Sequence, residues 1–335
     1  MLAYPALPVF HTLVEVSMKR AILVTLLAAL LPLAAHAQAW PARTVRIIAP
    51  FPPGGSVDQV SRILAAQLGT QLGQQFIVEN RSGASGSIGT QAVATAPPDG
   101  YTIGVVFDTH AVNPTLLPNM PFDTLKDLAP VMLIGTSPMA IVAHVSQPYR
   151  DFRDVLAAAK KEPIAFGSIG TGSLGHLAMT QIANSQHVQF IHIPYKGGGP
   201  LMTDAIGGQV PLAIGTVFLA NPHVKGGKVR ALAVTSAKPS PQMPGVATVA
   251  DQGVPGFSAL AWWGAIAPAA TPQPVIRRLY EELAKALANP AVAQKLSDQG
   301  MDIVGGPPEE MDRFVRGEIA RWATVVRENK IKAGD

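Results

Sequence analysis

Short apolar segments alternate with stretches of helical periodicity from residue 45 almost to the end of the chain, and few folds accept that alternation. Segments 45–49, 75–79, 101–107 and 130–136 read as short buried strands, with helices expected near 57–72 and 87–96. A second series follows: helix 152–161, strand 164–167, helix 173–185, strand 189–193, a helical piece before 206, then strands 210–215 and 229–235. Two or three amphipathic helices fill 274–329. Strands joined through helices lie parallel in one sheet, so the pattern predicts doubly wound α/β architecture. Ligands of such sheets sit in the loops at the carboxyl ends of the strands.

Two apolar segments bracket the second series, "VMLIGTSPMAIVAHV" (131–145) and "FSALAWWGAIAP" (257–268). Both are long for single strands, and we read them as strands that cross between two lobes. The first lobe is then discontinuous, 38–140 and 263–335, and 141–262 forms the second. Two crossing strands make a hinge, and a hinge over a polar cleft closes on a ligand. One of Trp262 and Trp263 is expected in the core and the other at the hinge.

The start of the chain carries a different signal. Met18-Lys19-Arg20 is basic, 21–31 is apolar, and Ala35-His36-Ala37 is a small-x-small site, so cleavage of a secretory leader is expected after Ala37. Residues 1–17 read as an over-extended start. The apolar run is well short of the ~20 residues a membrane span needs. The chain has no cysteine, which excludes a disulfide framework, thiol catalysis and cysteine metal sites. A formal charge of +4 without a basic run or interleaved aromatics gives no support for nucleic-acid binding.

The 31 glycines gather where ligands of an α/β sheet would sit. In "IIAPFPPGGSVDQVSRILAAQLG" (47–69), a strand leaves through two prolines and two glycines and a helix begins at once. Ser56 with Gln59 reads as a capping box that starts the helix just after Gly55. Bare N–H groups at a helix amino end hold anions, although the same turn could be a plain connection. "RSGASGSIG" (81–89), "FDTHAVNP" (107–114), "FGSIGTGSLGH" (166–176) and "PYKGGGP" (194–200) are expected on the same rim. The helices after strands 45–49 and 164–167 are expected to aim their amino ends at one carboxylate between them.

Enzyme signatures are weak. Residues 170–175 spell G-x-G-x-x-G, but the next strand ends Ile191-His192-Ile193-Pro194 without the acid a dinucleotide site wants. There is no G-x-S-x-G elbow. His187 and His192 are not at metal-ligand spacing. His110 and His176 lie in cleft loops, as ligand contacts or as loop histidines bonded to nearby backbone. Asp58 and Asp204 sit early in helices, where a carboxylate favours the amino end.

"FPPGGSVDQVSRILAAQLG", "VENRSGASGSIGTQAVATAPPDGYT", "GSIGTGSLGHLA", "IPYKGGGPLMTDAIGGQV" and "VRALAVTS", in that order, resemble the Bug (TctC-like) family of periplasmic solute-binding receptors of tripartite tricarboxylate transporters. The resemblance implies a two-lobed Venus-flytrap protein, periplasmic, monomeric, without cofactor or catalytic activity. It further implies a small organic acid as ligand and the membrane subunits of a transporter as partner. A periplasmic enzyme acting on a small carboxylate is the alternative on the same scaffold. By the family's motifs the first lobe would contribute Phe51, Pro53, Gly54, Gly55, Ser56, Ser87, Thr109 and His110 to the ligand. The second would contribute Ser168, Thr171, Gly172, Ser173, His176, Tyr195, Lys196 and Asp204. Asp108-Thr109-His110 and Pro211 depart from the family pattern, which leaves the substrate unassigned.

Overall fold

The computed structural model describes residues 40–333, so the leader expected over 1–37 lies outside the described residues. One half of the sheet begins with β1 (Val45–Ala49), flanked in parallel by β2 (Phe76–Asn80) and β3 (Thr102–Val106). The other half holds β5 (Ile164–Ser168), parallel to β6 (Phe190–Pro194) and to β7 (Leu212–Thr216). These are the parallel units that the alternation predicted.

A single long strand, β4 (Leu128–His144), serves both halves. Its portion 128–138 pairs antiparallel with β9 (Leu260–Pro268), which also borders β3. From Met139 onward β4 pairs instead with β7 and with β8 (Val229–Val234). The change of partner falls at Pro138, a residue with no N–H to give a ladder. Register shifts in the β4–β9 pairing on either side of Met132 and Leu133 add local twist.

Helices follow from the expected periodicity. α1 (Ser56–Leu72) turns Val57, Val60, Leu64 and Leu68 into the core, and Gly73 ends it in the left-handed conformation that glycine adopts without strain. α2 (Ser87–Ala94) and α3 (Thr109–Leu116) complete the loops above β2 and β3. The second half carries α4 (Phe152–Ala159), α5 (Leu174–Gln186), α6 (Gly198–Ile206) and α7 (Val217–Lys225). The C-terminal region supplies α8 (Gln273–Ala288), α9 (Pro290–Asp298) and α10 (Pro308–Glu328), with β10 (Asp302–Gly306) added antiparallel to β4.

Three elements depart from the sequence reading. α3 occupies a stretch read as a loop and α7 one assigned no element; Pro114 and Pro222 look like breakers yet sit late in two-turn helices. β10 is the third. Both tryptophans are buried, and Trp263 is the one that stands where the halves join. Trp263 packs between Phe107 of the first half and Phe218 of the second, ring centroids 5.2 and 5.5 Å away. Trp262 meets Phe314 of α10 edge-on at 5.4 Å. Among the described residues no helix is long and apolar enough to cross a membrane.

Candidate functional site

The chain leaves β1 into a turn whose geometry depends on two glycines. Gly54 has φ +81, a conformation that costs a side-chain residue free energy, and Gly55 is the N-cap of α1. Ser56 is the first helical residue rather than the cap, so the capping box expected from Ser56 and Gln59 does not form. The cap is replaced by a longer-range bracket. Asp58 accepts from the Gly54 N–H at 3.0 Å and from the Asn80 amide at 3.0 Å, and pairs with Arg62 at 2.9 Å. Gln59 donates to the Gly54 carbonyl at 3.0 Å. Burial pushes the Asp58 carboxyl up, but Arg62, Gly54 and Asn80 together outweigh it and hold the group below its ordinary value.

Facing this turn is the amino end of α6. A β-carbon built on Gly55 would stand 3.6 Å from the Gly198 nitrogen, and one built on Gly199 would clash with the Pro53 carbonyl at 2.7 Å. Bare backbone therefore meets bare backbone. The amino end of α7 completes the group, with Thr216 as N-cap accepting from the Leu219 N–H at 3.1 Å. Gly55, Ser56, Val57, Gly198 and Thr216 line a cavity whose walls are otherwise apolar, including Phe51 and Phe107. Its volume is about 10 Å³, the room of a single water, so the two halves are drawn together here. The first N–H groups of a helix have no partner within it, and each amino end carries roughly half a positive charge. Three such ends meet at one point.

Beside this cavity, sharing Phe51 and Ile169 with it, lies a chamber of about 420 Å³. Its walls are 82–86 from the first half and Gly170, Thr171, Tyr195 and Lys196 from the second. The Tyr195 hydroxyl donates to Asp204 at 2.9 Å. Burial and the neighbouring carboxylate push that phenol up to about 12, so it remains a donor. Ser85 closes the rim by donating to the Thr171 carbonyl at 2.9 Å.

The loop after β5 has a different part from the one expected. Ser173 caps α5 through the His176 N–H, and Ser168 and His192 share a 2.7 Å hydrogen bond. His176 accepts from the Gly172 N–H at 3.1 Å and stacks on His192 with centroids 3.9 Å apart. Ser168, Ser173 and His176 thus shape the loop from behind. Gly172, at φ +75, fits against Leu116 of α3; a β-carbon there would stand 2.1 Å from the leucine Cδ2. The amino end of α5 points not at the shared cavity but at Asp108 of the first half. The partners of α1 across the cleft are α6 and α7, a correction to the expected pairing of α1 with α5.

Among the sequence-predicted residues, Phe51, Gly55 and Ser56 line the cavity, and Gly54 and Pro53 meet Gly199 beside it. Thr171, Tyr195 and Lys196 line the chamber, and Asp204 stands behind Tyr195. Ser87 and Thr109 are buried as first residues of α2 and α3. His110 is elsewhere. It lines a space beneath α10 with Met311 and Val315, meets Trp262 edge-on at 6.3 Å, and burial lowers its pKa to about 4. Gly198 and Phe107 fall in the stretches 194–200 and 107–114 expected on the rim but are not among the residues singled out there, and nothing local marks Thr216 or His192.

Two α/β halves sharing one long strand, with helix amino ends converging between them, define a two-lobed solute-binding protein. The chain belongs to the family described as "Tripartite tricarboxylate transporter family receptor" (TctC), whose model matches residues 60–331. Protein BugT of Bordetella pertussis (strain Tohama I) is 37% identical over 301 residues, covering 88% of this chain and 92% of BugT. The structure of R. palustris Rpa4515 with adipate superposes with a TM-score of 0.84 at 34% identity, covering 88% of this chain and 99% of that one. MatC (Rpa3494) from Rhodopseudomonas palustris with bound malate gives 0.80 at 30% identity, covering 86% and 100%.

Proposed function

We propose that this chain is a periplasmic receptor that captures a small organic acid by one carboxylate and presents it to the membrane subunits of a tripartite tricarboxylate-type transporter. The observation that carries the proposal is the meeting of the α1, α6 and α7 amino ends across backbone stripped of side chains at Gly54, Gly55, Gly198 and Gly199. A carboxylate admitted there as the halves part gains from three helix dipoles and from N–H donors at the amino ends of α1 and α6, those of Phe218 and Leu219 in α7 being taken by Ser137 and Thr216. The two relatives whose structures hold adipate and malate support an acid as ligand. The chamber lined by Thr171, Tyr195 and Lys196 takes the rest of the molecule. The chain binds without turnover, as a monomer. The lobes 38–140 with 263–335, and 141–262, part to admit the acid and close on it. The leader is removed after Ala37, and the mass of periplasmic material should correspond to a chain starting at Gln38.

Titration calorimetry with a matched acid and amide tests the proposal. Charge-assisted hydrogen bonds contribute about 1.5–3 kcal/mol each, so the amide of an acid that binds should be weaker by about tenfold to several hundredfold. Equal affinity for the two would remove the anion site. Recovery of a chemically altered ligand would favour the enzyme reading instead.

A further inference from the structure

Asp108 is out of place for a residue of its charge. It lies between β3 and α3 in the first half, is 1% exposed, and its carboxylate oxygens make no hydrogen bond of good geometry. Only two N–H groups come near enough to temper this, those of Thr109 on its own helix and of Leu174, the first residue of α5 in the second half. Next to it Gly172 is pressed on Leu116, and Ser85 donates to the Thr171 carbonyl. All three contacts join the halves. Leu174 of α5 is thus one wall around the carboxylate, with Glu318 of α10 on the first half's side, and that wall is lost if α5 moves away.

We propose that Asp108 is a latch between the lobes whose protonation favours the closed form, so that this receptor closes more readily in acid than in alkali. The proposal rests on the two-lobed reading of the fold but not on the identity of the ligand. Closing places an acidic oxygen in a dry seam where the only compensation is one N–H each from the amino ends of α3 and α5. The neutral acid tolerates that seam and the carboxylate does not.

The charged neighbours set the direction. Glu318 of α10 raises the Asp108 value further, and Arg321 in turn lies 3.6 Å from Glu318. His176 is the titratable group at the amino end of α5, and His110 is two residues along α3. Burial keeps His110 neutral down to about pH 4. Burial, with Glu318, brings Asp108 to about 8 in the closed form, against an ordinary value near 4 once solvated. Closing then takes up a proton between those limits. The closed-to-open ratio falls by up to about tenfold per pH unit across that window as pH rises, and is level outside it.

Small-angle scattering on the protein dialysed free of small molecules, in half-unit steps from pH 5 to pH 8.5, reads the effect and its midpoint. The radius of gyration should be larger at pH 8.5, and Asp108→Asn should abolish the difference, whichever form it holds. Glu318→Gln, should the first variant not fold, is expected to move the midpoint to lower pH. Equal profiles of the unaltered protein at the two pH values would overturn the latch. So would an Asp108→Asn variant that keeps the full response. No ligand enters the measurement, so failure of the latch and failure of the organic-acid reading are separate results.

Discussion

The Gly198 nitrogen lies 3.6 Å from where a Gly55 β-carbon would stand, so α1 and α6 bring their amino ends together with nothing but hydrogen on either α-carbon. At Gly55 a β-carbon would be in ordinary contact there, whereas at Gly198 it would stand 2.6 Å from Leu219 Cδ2. Gly55 has φ −76, a value open to any residue, so its replacement should not strain the turn. Gly55→Val is expected to leave a cooperative unfolding transition and to abolish binding of an organic acid by calorimetry. A variant that binds as the unaltered protein does would reduce the turn to a connection.

Gly172 presents the same logic at the rim. A β-carbon there would stand 2.1 Å from Leu116 Cδ2, a contact between the two halves. Gly172→Ala should weaken acid binding by at least tenfold, and Leu116→Ala in the same chain should restore part of it. The restoration is partial because φ +75 remains unfavourable for alanine. No recovery in the double variant would place the defect in the loop itself.

How far the sequence led can be judged from these glycines. The alternation of strand and helix, the glycine turns after β1 and before α6, and the crossing role of 131–145 were legible because each depends on local spacing. Which turn faces which was not legible. The pairing of α1 with α6 and α7 follows from the order β7-β5-β6 beyond β4, which no local pattern records. His110 illustrates the limit from the other side. It lies in a polar stretch after a strand, where a ligand contact is a fair expectation, yet α3 turns it beneath α10. A helix two turns long, containing a proline, gives too little periodicity to show which face is inward.

Asp58 braces the glycine turn rather than the ligand. Its carboxylate takes the Gly54 N–H, the Asn80 amide and Arg62, and its side chain is 5% exposed. Asp58→Ala should lower stability by about 1–3 kcal/mol, since two donors and a cation lose their partner. Because the folded group titrates below its ordinary value, its contribution is complete above about pH 4 and is lost as pH falls through the lowered one. Denaturant unfolding at pH 7 and pH 3 should therefore show a gap between variant and parent that narrows in acid. A constant gap would mean that packing, not charge, holds the turn.

His110 separates a core histidine from a ligand contact. Its ring is 6% exposed, sits against Trp262, and has its pKa lowered to about 4 by burial alone. An unfolded chain protonates the same ring near 6.5, so the unfolded state binds more protons between those values. The stability that a neutral buried ring contributes is thus complete above pH 6.5 and declines as pH falls toward 4, by an amount on the order of 3 kcal/mol. His110→Gln should flatten that decline, because its amide does not titrate. The same variant should bind an organic acid within about twofold of the parent at pH 7, since a residue beneath α10 contributes nothing to the cavity at Gly55 and Gly198. Urea unfolding from pH 4 to pH 8 and calorimetry at pH 7 give the two readings. A variant that keeps the acid decline but loses binding would return His110 to the site and require α3 to rotate when the ligand arrives.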